Sequence, residues 1–170
     1  MDRGELRAVQ APLKERYRGE PGAALVTLRA SGELDGEAIA CSVATGKALV
    51  EAGLHPATGG TGALACSGDM LLEALVACAG VTLRSVATSL EIPVAGTVRA
   101  EGDLDFRGTL GLDKTGEVPV GFREIRLRFE LDTDADDEQL ATLIRLTERY
   151  CVVLQTLTGG VPVGVEADRS

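Results

Sequence analysis

Met70-Leu71-Leu72-Glu73-Ala74-Leu75-Val76-Ala77-Cys78-Ala79-Gly80-Val81-Thr82-Leu83-Arg84 is the stretch that decides the fold. From Met70 to about Leu90 the only charges are Glu73 and Arg84, and apolar residues fall on every side of a helical projection. A helix that is apolar all round belongs inside a core. Asp69 stands where its N-cap would be. One small sheet covers such a helix poorly, so the same stretch predicts that two chains associate around it as a homodimer.

Upstream of this helix, Ala24–Ala30 and Glu37–Thr45 read as strands. Ser31-Gly32-Glu33-Leu34-Asp35-Gly36 joins them as a hairpin turn. Gly53–Gly68, rich in glycine and small residues, reads as a loop. Downstream, Ile92–Phe106 and Gly121–Leu131 read as strands, with Ile125, Leu127 and Phe129 alternating with charged residues in the second. Asp134–Asp137 opens a second helix that runs to about Leu157 and ends at Gly159-Gly160, and Val161–Ala167 makes a last strand. Residues 1–22 are charged, carry Pro12, Gly19, Pro21 and Gly22, and form an N-terminal arm or short helix. The order β-β-α-β-β-α-β gives an α+β chain, read as a single domain over residues 1–170.

Composition excludes several functions. Hydrophobic residues make up 45% of the 170 and charged residues 25%, so the chain can build a core rather than remain disordered. Aromatics are only 3% and Trp is absent, so that core is aliphatic. Lys plus Arg number 17 against 26 for Asp plus Glu, and the net charge of −9 leaves no basic stripe for nucleic acid. The most apolar run, Ala74–Leu83, is shorter than the roughly 20 residues of a membrane span. The charged start, Met1-Asp2-Arg3-Gly4-Glu5, has no apolar signal region, so a cytoplasmic location is expected.

The chemistry rests on cysteine. Cys41, Cys66, Cys78 and Cys151 include no C-x-x-C pair, and His55 is the sole histidine, so no metal site is expected. Gly59-Gly60-Thr61-Gly62 and Thr45-Gly46-Lys47-Ala48 both lack the residues of a phosphate loop, so no nucleotide or other cofactor is expected. His55, in Leu54-His55-Pro56, reads as a loop histidine without catalytic duty. Cys78 sits among small residues on the apolar helix. Cys151 shares a helical face with Ile144, Thr147 and Leu154. By composition alone either cysteine can be an inert core residue or a reactive thiol.

Met70-Leu71-Leu72-Glu73-Ala74-Leu75-Val76-Ala77-Cys78 resembles the first-cysteine helix of the OsmC/Ohr family of thiol peroxidases. Glu148-Arg149-Tyr150-Cys151-Val152-Val153 resembles its second-cysteine helix, and Val118-Pro119-Val120-Gly121-Phe122 the strand entry between them. The resemblance covers about residues 23–167. It implies an OsmC-like fold, two central helices packed on antiparallel sheets in an intertwined homodimer, with the active site at the subunit interface. It also implies that Cys78 attacks an organic hydroperoxide, that Cys151 resolves the product as a disulfide, and that an unidentified thiol reductant restores the pair.

The sequence departs from the family at the activating groups. Leu34 and Asp35 stand in the hairpin turn where members carry an arginine, and Val152 stands where many carry a proline. Asp69 can replace the family's glutamate at the helix start, or serve only as the N-cap. Cys78 lies too deep in its helix for that helix's own dipole to help it, so a nearby cation is expected to lower its pKa. Arg16 and Arg18 on the arm are the candidates. The missing hairpin arginine keeps a second function open: a non-enzymatic OsmC-like homodimer that binds small apolar ligands or senses oxidants through its thiols.

Overall fold

The computed structural model describes residues 2–20, 32–34, 40–44 and 49–169. The N-terminal arm is a helix, α1 (Arg3–Gly19). Asp2 and Glu5 begin it reciprocally, the Glu5 amide donating to Asp2 at 2.8 Å and the Asp2 amide to Glu5 at 2.9 Å, a capping box.

Strands β1 (Gly32–Leu34), β2 (Ala40–Ala44), β3 (Leu49–Gly53) and β4 (Ala65–Cys66) form one sheet in that order. The expected hairpin exists but is displaced. Gly32-Glu33-Leu34, read as turn, is strand and pairs antiparallel with β2, Leu34 opposite Cys41. The first expected strand, Ala24–Ala30, lies outside the described residues. β3, which pairs antiparallel with β2, was not expected at all, and β4 pairs parallel with its end. The glycine-rich loop is therefore shorter than Gly53–Gly68 and contains one turn of 3-10 helix at Pro56–Thr58.

Helix α2 spans Ser67–Leu90, beginning earlier than Met70, which places Asp69 in its first turn rather than at the cap. Strands β5 (Ala95–Leu104) and β6 (Phe122–Asp132) form a second sheet, with the short helix α3 (Phe106–Thr109) between them. The expected long second helix is two helices. α4 (Asp137–Tyr150) starts from an Asp136–Gln139 capping box, and α5 (Val152–Gly159) follows after the single residue Cys151. Gly160 closes α5 in the left-handed conformation, at φ 62° and ψ 54°, where glycine carries no Cβ penalty. Val161–Ala167 has strand-like alternation but no strand forms, and Val163 and Val165 are exposed.

The chain divides into two compact units, unit 1 (Met1–Glu73 and Arg99–Arg128) and unit 2 (Ala74–Val98 and Phe129–Ser170). Among the described residues, the buried aliphatic side chains lie in unit 2. Leu75, Ala79, Leu83 and Ala87 of α2 recur every fourth residue and are all buried. Leu83 and Ala87 pack with Ile92, Val94 and Leu143. α2 is longer than the run Ala74–Leu83 suggested, and by length and a mean hydropathy of 1.6 it could cross a bilayer. Only the row Leu75, Ala79, Leu83 and Ala87 is buried, and most of this apolar helix is left uncovered within the single chain. Leu143 is fully buried, so Leu143→Ala should destabilise the fold by about 3 kcal/mol in chemical denaturation. A loss below about 1 kcal/mol would mean the site collapses around the smaller side chain.

Candidate active site

Cys78 lies three turns into α2 and is half-buried, whereas Cys151 is fully buried. Both are free thiols. What joins them is the break between α4 and α5. Cys151 adopts φ −73° and ψ 106°, which ends α4 and makes this residue the N-cap of α5. Its own backbone groups stay satisfied, with the amide donating to the Thr147 carbonyl and its carbonyl accepting from Gln155, both at 2.9 Å. The Gln155 side chain also bridges the break by donating to the Glu148 carbonyl at 2.8 Å.

A helix that starts afresh exposes amides with no intrahelical acceptor. The Val153 and Val152 amides, the Cys151 thiol and the Thr82 hydroxyl are the groups that favour a negative charge on the Cys78 sulfur. Thr82 follows Cys78 by one turn of α2, the spacing that puts two side chains on one face. Burial alone would push the Cys78 thiol up. These four groups overcome it and hold the thiol below its usual pKa. Cys151 moves the other way. Burial raises it, the neighbouring Cys78 raises it further, and the amides of Leu154 and Val153 offset only part of this. The two shifts run in opposite directions, so a negative charge is favoured on the more accessible sulfur of Cys78 over the buried one of Cys151.

The other expected residues fall elsewhere. Among the described residues, the groups that favour charge on Cys78 are amides, a hydroxyl and a thiol. The side chains of Arg16 and Arg18 lie outside the described residues, as does that of Cys41. Asp69 lines a cavity within unit 1 together with Cys66 and His55. Sequence reasoning missed Thr82 and the α5 amides. The i, i+4 spacing marks Thr82, but no residue pattern marks the amides, which depend on the backbone turning at Cys151.

The sequence model of OsmC-like proteins matches residues 60–166, well over half the chain and including both cysteines. The chain belongs to the OsmC-like family. None of the curated proteins compared with it matches. Among solved structures it is similar to an OsmC-like protein from Mycoplasma pneumoniae, with TM-score 0.64 and 17% identity over 79% of this chain and 89% of that one. It is also similar to an organic hydroperoxide resistance protein from Elizabethkingia anophelis, with TM-score 0.59 and 18% identity over 80% and 91% of the two chains. The organic hydroperoxide resistance protein OhrB of Bacillus subtilis aligns with TM-score 0.53 and 21% identity over 80% and 93%. At these identities the likeness carries the OsmC-like fold and nothing finer.

One departure from this OsmC-like pattern is open to direct test. Proline at 152 would keep the helix start, since the first helical position tolerates it and Cys151 is already extended as a pre-proline residue must be. It would remove one amide from the Cys78 sulfur. In Val152→Pro the alkylation midpoint of Cys78 should move to higher pH, with the rate at pH 6 falling roughly tenfold, the worth of one hydrogen bond to a charged group. An unchanged pH profile would remove the Val152 amide from thiolate stabilisation.

Proposed function

We propose that this protein is a thiol-dependent peroxidase that reduces organic hydroperoxides. The observation that carries the reading is the cysteine pair: a free, half-buried Cys78 on α2 whose thiol is held below its ordinary pKa, and a free, fully buried Cys151 at the start of α5 whose thiol is held above it. A peroxidase needs a thiolate that peroxide can reach and a second thiol poised to follow. The Cys78 thiolate attacks the distal oxygen of R–O–O–H, the O–O bond breaks, and R–O⁻ leaves as the alcohol after taking a proton. Cys78 is then a sulfenic acid. The Cys151 thiol attacks its sulfur, the S–S bond forms, and water is released. A thiol reductant returns both cysteines to the reduced state.

That two of the similar structures are organic hydroperoxide resistance proteins supports the same substrate class. The test is turnover of an alkyl hydroperoxide with a dithiol reductant in excess. Rapid catalytic consumption is the expected result. Slow, equal oxidation of all four cysteines with no turnover would defeat the reading and leave the ligand-binding or sensing alternative.

The acting unit is proposed to be a homodimer in the cytoplasm. Unit 2 leaves Val81 on α2, Val152 on α5 and the segment Val161–Val165 exposed, apolar surface that a second copy would cover. A single-chain mass by light scattering at micromolar concentration would argue against it. Cys41 and Cys66 have no part in the proposed chemistry. Replacing both with Ser should therefore leave turnover largely intact, and a loss beyond about tenfold, roughly 1.4 kcal/mol of barrier, would count against that assignment.

A further inference from the structure

The hydrogen-bond ladder of α4 stops at Cys151, and that of α5 starts from it. The Cys151 amide is the last to donate back into α4, to the Thr147 carbonyl at 2.9 Å. The ladder resumes with the Gln155 amide, which donates to the Cys151 carbonyl at 2.9 Å. The amides of Val152, Val153 and Leu154 fall between these two bonds, at positions where a fresh helix has no intrahelical acceptor. At the start of α4 the Asp136 capping box serves such amides, but Cys151 makes no side-chain cap at the start of α5.

Gln155 acts on both sides of this break. In an unbroken helix the Glu148 carbonyl would accept from the Val152 amide, four residues on. Here it accepts from the side-chain amide of Gln155 at 2.8 Å, seven residues on. The backbone amide of the same residue makes the first bond of α5. Its neighbours stay within their own helix: the Thr156 and Thr158 hydroxyls donate to the Val152 and Leu154 carbonyls at 2.8 and 2.9 Å.

The competing arrangement is one continuous helix, and it turns on a single angle. The Cys151 φ of −73° is already helical, and only its ψ of 106° departs from the helical value near about −42°. Joining the helices would commit the Val152 amide to Glu148 and the Val153 amide to Arg149. Both amides favour a negative charge on the Cys78 sulfur in the broken form, and both would be withdrawn from it. Nothing covalent imposes the break, because Val152 has an amide to donate where a proline would have none.

We propose that Gln155 is a positioning residue for Cys78: by occupying the Glu148 carbonyl in place of the Val152 amide, it holds the α4–α5 break and keeps the first amides of α5 for the Cys78 sulfur. This deepens the peroxidase reading and rests on it for the use made of the thiolate.

The experiment compares wild type, Gln155→Met, Val152→Pro and the double variant, all as full-length protein. Methionine is close to glutamine in length and helix propensity but offers no donor. Gln155 is exposed, so the fold should tolerate the change. Two quantities are read: the Cα chemical shift of Cys151 by NMR, and the pH profile of Cys78 alkylation by peptide-resolved mass spectrometry. Gln155→Met should move the Cys151 shift toward its helical value. It should also slow alkylation at pH 6 by about threefold and leave the alkaline plateau unchanged. Simple loosening would instead expose the half-buried sulfur and speed alkylation at every pH. In Val152→Pro, residue 151 is kept extended and position 152 has no amide with which to join the helices. Adding Gln155→Met there should change neither quantity further. An unmoved Cys151 shift, an unmoved pH profile, faster alkylation at every pH, or an equal effect in the Val152→Pro background would each overturn the proposal. Neither measurement uses peroxide or reductant, so absence of turnover would defeat the peroxidase reading and leave the role of Gln155 standing.

Discussion

Cys78→Ser should abolish hydroperoxide consumption, a fall of more than about 10³-fold in rate, or upward of roughly 4 kcal/mol of barrier. The reason is the nucleophile itself. The donors around residue 78 stabilise a negative charge there, and a serine hydroxyl is far too weak an acid to be ionised by them near neutral pH. The donor set would survive the substitution, so the fold should too, and circular dichroism of the variant serves as the control. The dependence on pH has a definite sign. With the Cys78 pKa below its ordinary value and that of Cys151 above it, single-turnover oxidation of wild type should stay fast as pH falls through the ordinary thiol range. It should decline only below the lowered Cys78 pKa, about tenfold per further pH unit. A wild-type profile that instead follows an unperturbed thiol, near pKa ~8.5, would mean that the α5 amides do not act on Cys78. Turnover persisting in Cys78→Ser would remove this residue from the chemistry.

The parts of this arrangement that sequence makes legible are those carried by side-chain pattern. α2 announces itself because a long apolar run with only two charges needs no partner to be recognised. α4 is marked by Asp136 and Gln139, a capping pair set by local spacing. β3 escapes notice because Leu49–Gly53 is short, ends in glycine, and owes its strand state to the β2 backbone beside it. Val161–Ala167 fails in the opposite sense: the alternation is present, but a strand requires a ladder partner, and none forms among the described residues. The site divides along the same line. Cys78 and Cys151 stand out through their helix motifs. The amides that lower the Cys78 pKa are invisible in the sequence because they exist only where the helix is interrupted, and Val152-Val153 would pass for ordinary residues of a continuous helix. The cation was inferred from the depth of Cys78 in α2, which leaves out any donor from a second helix. Once α5 begins at Val152, backbone dipoles supply part of what a cation would, in a chain whose hairpin lacks the family's arginine.

Cys151→Ser tests the order of the two sulfurs. Attack on the O–O bond precedes resolution, so this variant should still react once with hydroperoxide, at close to the wild-type single-turnover rate, and then stop. A serine hydroxyl at 151 can still donate to the Cys78 sulfur, and the α5 amides are unaffected, so the thiolate persists. What is lost is the second thiol. The sulfenic acid on Cys78 then has no partner and moves up the oxidation series to sulfinic acid when peroxide is in excess. Steady-state turnover should fall by more than about 10³-fold, roughly 4 kcal/mol. Mass spectrometry after one equivalent of hydroperoxide reads the outcome directly: wild type loses two hydrogens as Cys78 and Cys151 join, and Cys151→Ser gains one oxygen on Cys78. Residue 151 is fully buried, where a hydroxyl in place of a thiol can weaken packing, so Cys151→Ala should be run beside it and give the same single oxygen. If instead Cys78→Ser takes up oxygen on Cys151 at the wild-type rate, attacker and resolver are reversed, and the accessible, amide-held sulfur is the one that waits.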